Sequence, residues 1–393
     1  MMHYSDEEIF YIWLDGFSRF TATDKNTLLQ KVEFLSDFSF GAEYFFGADV
    51  TPEQRENYAD LQAFLADEAA MRNLPQIFTA DNVFCIPKIH HAYPPILRQE
   101  PDAPLVLYCL GNADLLQSDK FAVIGSRRIP PAMEKLTESV AYDLTERYAV
   151  VTGMADGGDT AALQGAAQGN KVICILPCGI DTALDKEQVQ TAAAHGLVIS
   201  PFPYGQSAMK YCYVKRNTVI AALSEGILLV AADEGSGTLS TVREAILRKK
   251  RLFAFPYAPG VAAGKACNQL IKNGAALCEC AEDVFSAMDA PEKGDADFSS
   301  LADPKSDFGT ENRKENRTNT EILQKNNAKD LSEEQKTVLE VLTTYGESHI
   351  IEITQRTGLN EQQTLIALSM LEIKQLAVRC GGNRFAPNVS NKR

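Results

Sequence analysis

Between residues 120 and 250 the chain repeats one pattern: a short aliphatic run, a glycine, then a helical stretch. Phe121-Ala122-Val123-Ile124 ends at Gly125 and precedes a helical pattern over 133–148. Ala149-Val150-Val151 ends at Thr152-Gly153 and precedes another over 160–168; residues 171–176, 196–199 and 226–231 supply further strands. Strands that are apolar at every position, instead of at alternate ones, are buried on both faces, and strands separated by helices pair in parallel. The expected class is therefore α/β, an extended Rossmann-like, doubly wound sheet. Ligands of such sheets bind beyond the carboxyl ends of the strands.

At 393 residues the chain exceeds one comfortable core. Residues 1–89 are expected to form a small helical (SAM-like) domain, with Thr51 as an N-cap before Pro52 of a helix reaching Met71. The Rossmann-like core spans 90–288, with Tyr93–Leu97 extended and Pro104–Leu110 a strand. Residues 289–330 are polar, rich in Asn, Asp and Lys and poor in aliphatics, which predicts a flexible linker. Residues 331–393 resume a compact pattern: helices over 332–343, 350–356 and 361–372, the last with Leu365, Ile366, Leu368 and Leu371 on one face, then a hairpin around Gly381-Gly382. Three helices and a hairpin predict a winged helix. Its third helix has no Lys or Arg before Lys374, so contact with protein is expected there in place of a DNA groove.

The net charge of −14 is unevenly spread. Residues 1–119 hold 7 basic and 19 acidic side chains, residues 281–393 hold 14 and 19, but residues 120–280 hold 17 and 14. The middle can present a basic surface to an anion. The nine cysteines are scattered without a CxxC pair, which points to reduced thiols in a cytoplasm and to no metal site. No apolar run is long enough for a membrane helix, and no cofactor is implied.

Four turns are expected at the ligand edge. The first is Gly125-Ser126-Arg127-Arg128, where glycine admits a close phosphate, serine adds a hydroxyl and two guanidiniums offer bidentate donors. The second, Thr152 to Asp159, is glycine-rich and includes Gly153. The third is Lys215-Arg216-Asn217, just before an apolar helix over 219–223. The fourth, Glu234-Gly235-Ser236-Gly237-Thr238, enters a helix over 239–247. Any one of these alone reads as an ordinary βα turn or helix cap; four at one sheet edge point to a phosphate-bearing ligand. Neither GxGxxG nor GxxxxGK[ST] is present in full. Asp156 and Asp159 share a turn and could serve as acid or base, or could cap the helix at Thr160 and orient the first arginine turn. No nucleophile stands with a base, so a binding protein is expected over an enzyme. The alternative is a nucleotide-binding Rossmann protein, with nucleotide sensing or N-glycosidic hydrolysis.

The series Ala122–Arg127, Thr152–Asp159, Lys215–Ser224, Gly235–Thr241 and Asn268–Ala275 resembles, in order and spacing, the bacterial DNA-processing protein A family (DprA, also called Smf). Tyr93–Leu97 and Leu105–Gly111 also look like that family. The resemblance implies a cytoplasmic, dimeric, non-enzymatic protein that binds single-stranded DNA on an extended Rossmann fold and loads a RecA-type recombinase during natural transformation. By that likeness Gly125, Ser126 and Arg127 contact phosphate, Lys186 after Gly179-Ile180-Asp181 is a second basic contact, and Arg216, Asn217, Ser236 and Thr238 complete the set. The chain departs from the family pattern at Gly158 (usually isoleucine), Leu163 (histidine), Leu184-Asp185 (Tyr-Pro), Ser200-Pro201 (Ser-Glu) and Thr218 (arginine), with an acid at Asp156.

Overall fold

A computed structural model describes residues 3–233, 236–291, 298 and, within 331–387, all but 346–347, 358, 374–375 and 382–383. Glu234, Gly235, most of the expected linker and Gly382 of the expected hairpin turn lie outside the described residues. The chain forms two compact units, Met1–Gly309 and Thr310–Arg393.

The first unit is built on a nine-stranded sheet. In chain order its strands are β1 (Phe84–Pro87), β2 (Val106–Gly111), β3 (Lys120–Gly125), β4 (Ala149–Thr152), β5 (Val172–Ile175), β6 (Gly196–Ser200), β7 (Gly226–Ala231), β8 (Arg251–Ala254) and β9 (Ala276–Leu277). Their spatial order is β1-β2-β6-β5-β4-β3-β7-β8-β9. The seven strands from β6 to β9 in that order run parallel, whereas β2 is antiparallel to β6 and β1 antiparallel to β2. The parallel sheet expected from the apolar runs is thus present, extended by an antiparallel pair. Residues Pro95–Arg98, expected as extended, form one helical turn (α6) with Pro95 at its first position, where a missing N–H costs nothing.

Along β3 the side chains alternate between two cores. Phe121 and Val123 pack with Val140, Leu144, Ala162 and Ala166 of α7 (Pro131–Leu144) and α8 (Gly158–Gln168). Ala122 and Ile124 pack on the opposite face with Val219 and Ile220 of α10 (Lys210–Leu223) and Leu239 and Val242 of α11 (Thr238–Leu247). The chain steps one way from β3 through β4 and β5 to β6, α9 (Lys186–Ala194) connecting the last two. It then crosses back through α10 to lay β7 on the far side of β3. The switch point lies between β3 and β7, where helices leave to opposite faces.

Ahead of the sheet stand α1 (Asp6–Gly16), α2 (Ala22–Lys31), α3 (Ala42–Phe46), α4 (Pro52–Ala66) and α5 (Glu68–Thr79). Thr51 and Gln54 form a capping box as the sequence predicts, but the expected single helix breaks at Asp67. That carboxylate accepts the Ala69 and Ala70 N–H groups and starts α5, the role aspartate prefers over a helix interior. Phe10, Phe20, Phe38, Phe45 and Tyr58 make a local core, while Ile12 and Phe78 join the core under the sheet.

The second unit comprises α14 (Glu333–Tyr345), β10 (Ser348–His349), α15 (Ile350–Thr357), α16 (Glu361–Ile373), β11 (Ala377–Gly381) and β12 (Arg384–Pro387), with sheet order β10-β12-β11. Val338, Leu342, Ile353, Leu368, Leu371 and Phe385 form its core. Leu368 and Leu371 are buried as expected, but Leu365 and Ile366 are exposed: Thr364, Ala367, Leu368 and Leu371 repeat at helical spacing and take the inner face.

Candidate functional site

The switch point carries a cleft of about 940 Å³. One wall is the turn after β3, Gly125 to Arg128; the other is Asp233, Ser236, Gly237 and Thr238 at the start of α11; Tyr213, Val214, Arg216, Asn217 and Ile220 of α10 close the side. The walls are tied together. The Thr238 hydroxyl donates to the Gly125 carbonyl at 3.1 Å, and the Asn217 amide donates to the Ser240 hydroxyl at 2.6 Å. The Ser126 hydroxyl donates to the Arg128 carbonyl, curling the turn so that both guanidiniums face solvent. Neither the Arg127 nor the Arg128 guanidinium has an ion-pair or hydrogen-bond partner among the described residues.

Beneath the cleft lies one buried carboxylate. Asp159, in the first turn of α8, accepts the Gly125 N–H at 3.1 Å and the Ala155 N–H at 3.4 Å, and Arg216 Nη1 stands 3.6 Å away. Their side chains are 7% and 8% exposed. Burial pushes the Asp159 carboxyl above its ordinary range, against the pull of Arg216 and of the Gly125, Ala155 and Gly153 amides. Burial likewise pushes the Arg216 guanidinium below its own range. A side chain at Gly153 would fall 1.4 Å from Arg216 Nη1, so glycine there makes room for the ion pair. Gly158 packs on Gly125: a Cβ at 158 would meet the Gly125 Cα at 2.6 Å, so a larger side chain there would force this contact apart.

The expected site residues therefore divide. Gly125, Ser126, Arg127, Arg128, Arg216, Asn217, Ser236, Gly237 and Thr238 line the cleft; Gly153, Lys186 and Lys215 do not. Lys215-Arg216-Asn217 is not a turn. It lies within α10, which begins at Lys210 because residues 210–218 contain no glycine or proline to stop it. Successive residues of a helix point some 100° apart, so Arg216 faces Asp159 while the Lys215 ammonium lies 5.7 Å from the Phe202 ring centre. Lys186 is the exposed first residue of α9, beyond the end of β5. Two strand spacings, about 10 Å, separate β5 from β3. The backbone N–H of Gly125 is spent on Asp159, that of Ser126 on the Ala231 carbonyl and the Ser126 hydroxyl on the Arg128 carbonyl, so the guanidiniums are what the turn presents.

Among aromatic side chains near the cleft, Phe202 is buried, whereas Tyr211 and Tyr213 are 53% and 38% exposed on α10. Leu163 sits in the core, Thr218 gives its hydroxyl to the Val214 carbonyl, and Asp185 caps α9 by accepting the Gln188 N–H. Asp156 is exposed and off the cleft wall. The pairing of Asp159 with Arg216 escaped the sequence reading, since residues 57 positions apart carry no spacing signal. Ser240, Ala262 and Ala263 of the wall were equally unmarked. Among the described residues no cluster of three or more His, Cys, Asp or Glu could hold a metal ion, and no helix is long and apolar enough to cross a membrane.

Comparison with known proteins gives a consistent result. The family model described as DNA recombination-mediator protein A matches residues 84–289. DNA processing protein DprA of Streptococcus pneumoniae is 33% identical over 201 residues, 50% of this chain and 71% of that protein. Protein Smf of Escherichia coli is 32% identical over 225 residues, 54% of this chain and 60% of that protein. The X-ray structure of DNA processing protein A from Streptococcus pneumoniae is 26% identical, covers 72% of this chain and 98% of that one, and superposes with a TM-score of 0.58. The family match runs from the first residue of β1 to the last of α13 (Ala281–Asp289), more than half of the sequence and the whole of the sheet that carries the cleft: the chain belongs to the DNA recombination-mediator protein A family.

Proposed function

We propose that the chain grips single-stranded DNA, independently of sequence, along the carboxyl edge of its sheet, acting as a recombination mediator and not as an enzyme. The observation that carries this reading is the pair of unpartnered, solvent-facing guanidiniums of Arg127 and Arg128 on the lip of a cleft whose opposite lip carries the Ser236 hydroxyl. Guanidiniums suit phosphodiesters because their planar fork matches two phosphate oxygens. Tyr213 on the cleft wall and Tyr211 beside it supply faces on which any base can stack. Lys186 begins α9, which follows β5, two strands from β3 in the sheet, and on this reading a strand leaving the cleft passes it.

A cleft of this volume could also house a nucleotide, the second reading. Hydrolysis of an N-glycosidic bond would need a free carboxyl at the ligand, and Asp159 is buried and held by two amides and Arg216. Binding of a polymer fits better.

The wider reading follows the family: a cytoplasmic homodimer that hands single strands to a RecA-type recombinase. Residues 1–89 serve as a helical domain, 90–288 as the DNA-binding core, 289–330 as a linker, and 331–393 as a winged helix that meets protein. Filter binding of an oligonucleotide such as dT20 across about 50–200 mM salt tests the central claim, because each phosphate contact on a single strand contributes a slope near −0.7. A flat response removes it.

A further inference from the structure

In nucleotide-binding sheets of this kind, the glycine turn after a central strand and the amides of the following helix receive the ligand's phosphate. Here the first two amides of the turn after β3, and one from the turn that leads to α8, are already occupied. The Gly125 and Ala155 N–H groups point to the Asp159 carboxylate, the Ser126 N–H is taken by the Ala231 carbonyl, and Arg216 is paired with the same Asp159. Arg216 Nε has no hydrogen-bond partner, although it is buried at the cleft floor.

Resting on the DNA-binding reading above, we infer that Asp159 is a built-in anion that sets ligand specificity: it fills the amide nest and neutralises Arg216, so a lone nucleotide phosphate finds no seat on the cleft floor. Only a polymer, whose successive phosphates reach Arg127, Arg128 and the Ser236 hydroxyl at once, gathers enough contacts to bind. The discrimination is made by the missing seat, because the buried Asp159–Arg216 pair offers a second anion neither a free amide nor net positive charge. Asp159 is a positioning residue, since it shapes the seat without touching the ligand. Substituting Asp159→Asn keeps the side chain's shape and its oxygen for Gly125, removes the charge, and leaves Arg216 with its full charge and an unsatisfied Nε toward the cleft.

The test compares full-length wild type with Asp159→Asn. With dAMP as probe, the melting temperature of the wild type stays still and that of the variant rises. With dT20, the variant's salt slope steepens by about 0.7, and at about 100 mM salt it binds about fivefold tighter. Asp156→Asn makes the same charge change at an exposed position off the cleft and produces no response to dAMP. Should Asp159→Asn prove unstable, inorganic phosphate is the second probe: at about 50 mM it raises the variant's melt more than the wild type's, by taking the place of the lost carboxylate. Equal effects of dAMP and of phosphate on the two proteins, with ordinary salt-dependent dT20 binding in both, overturn the role of Asp159 alone. A wild type that binds dT20 with no salt dependence overturns the DNA-binding reading instead.

Discussion

The turn after β3 and the turn after β4 leave the same edge of the same sheet, both carry glycine, and both lead into helices, yet their side chains go opposite ways. After β3, Arg127 and Arg128 stand in solvent on the lip of a cleft. After β4, Asp159 at the end of the turn is buried against Arg216, while Asp156 within it stays exposed. The neighbours of each strand explain the difference. β3 borders β7, and the helices that follow them, α7 and α11, pack on opposite faces of the sheet, which leaves a crevice between their ends. β4 lies between β3 and β5, and α8 packs beside α7 on one face, so nothing opens there. On the proposed reading one turn meets the ligand and the other holds the first in shape.

That contrast can be broken most directly at Arg216. Arg216→Ala strands a buried carboxylate and should cost about 3–5 kcal/mol of stability by denaturant unfolding; a loss below about 1 kcal/mol would make Arg216 a cleft cation with no structural duty. On the solvent side, Arg127→Ala with Lys186→Ala should weaken dT20 binding about 100-fold at low salt. Because both residues are exposed, the melting temperature should move by no more than about 1 °C. If binding survives, the lip of β3 is not the seat. Tyr213→Ala should cost about 1–3 kcal/mol of DNA affinity through lost stacking, measured by fluorescence anisotropy.

A smaller effect comes from acid. Asp159 of α8 faces Arg216 of α10, with Arg127, Tyr213 and Cys174 acting on the pair from the turn after β3, from α10 and from β5. Burial raises its folded-state value above that of the unfolded chain. Its proton therefore favours the folded state, fully so below the unfolded value, and that contribution is lost as pH rises through the raised one. Lowering the pH should tighten dT20 binding in the wild type more than in Asp159→Asn, which has no such proton to gain. The smallest effect is expected from the second unit. Deleting 331–393 should change affinity for single strands less than about twofold, since α16 brings no basic side chain to a groove.

The strands were legible because each is a short aliphatic run closed by glycine or a polar residue, and the ends of β3, β6 and β7 fall within a residue or two of the expected ones. Arg127 and Arg128 were legible for the same reason, since a basic pair directly after a buried strand has nowhere to go but the sheet edge. Lys215-Arg216-Asn217 was misplaced because the polar and aromatic residues of 210–218 hide the helical period that begins at Lys210. Gly153 looked like a phosphate contact, but its lack of a side chain serves Arg216. Leu365 and Ile366 were put on the buried face of α16, although the 3.6-residue period centres on Leu368 and Leu371.

Local sequence alone determined that a parallel sheet would form, that its turns would carry cations and hydroxyls, and that the acid would collect toward the two ends of the chain, because each depends on neighbours a few positions apart. Tertiary structure decided which turns share a cleft and which carboxylate neutralises which guanidinium. Those outcomes depend on the reversal of strand order between β3 and β7 and on the meeting of Asp159 with Arg216 from separate helices. In a desolvated interior the energy of a charge is set by what stands within a few ångströms of it, and only the folded chain brings such residues that close.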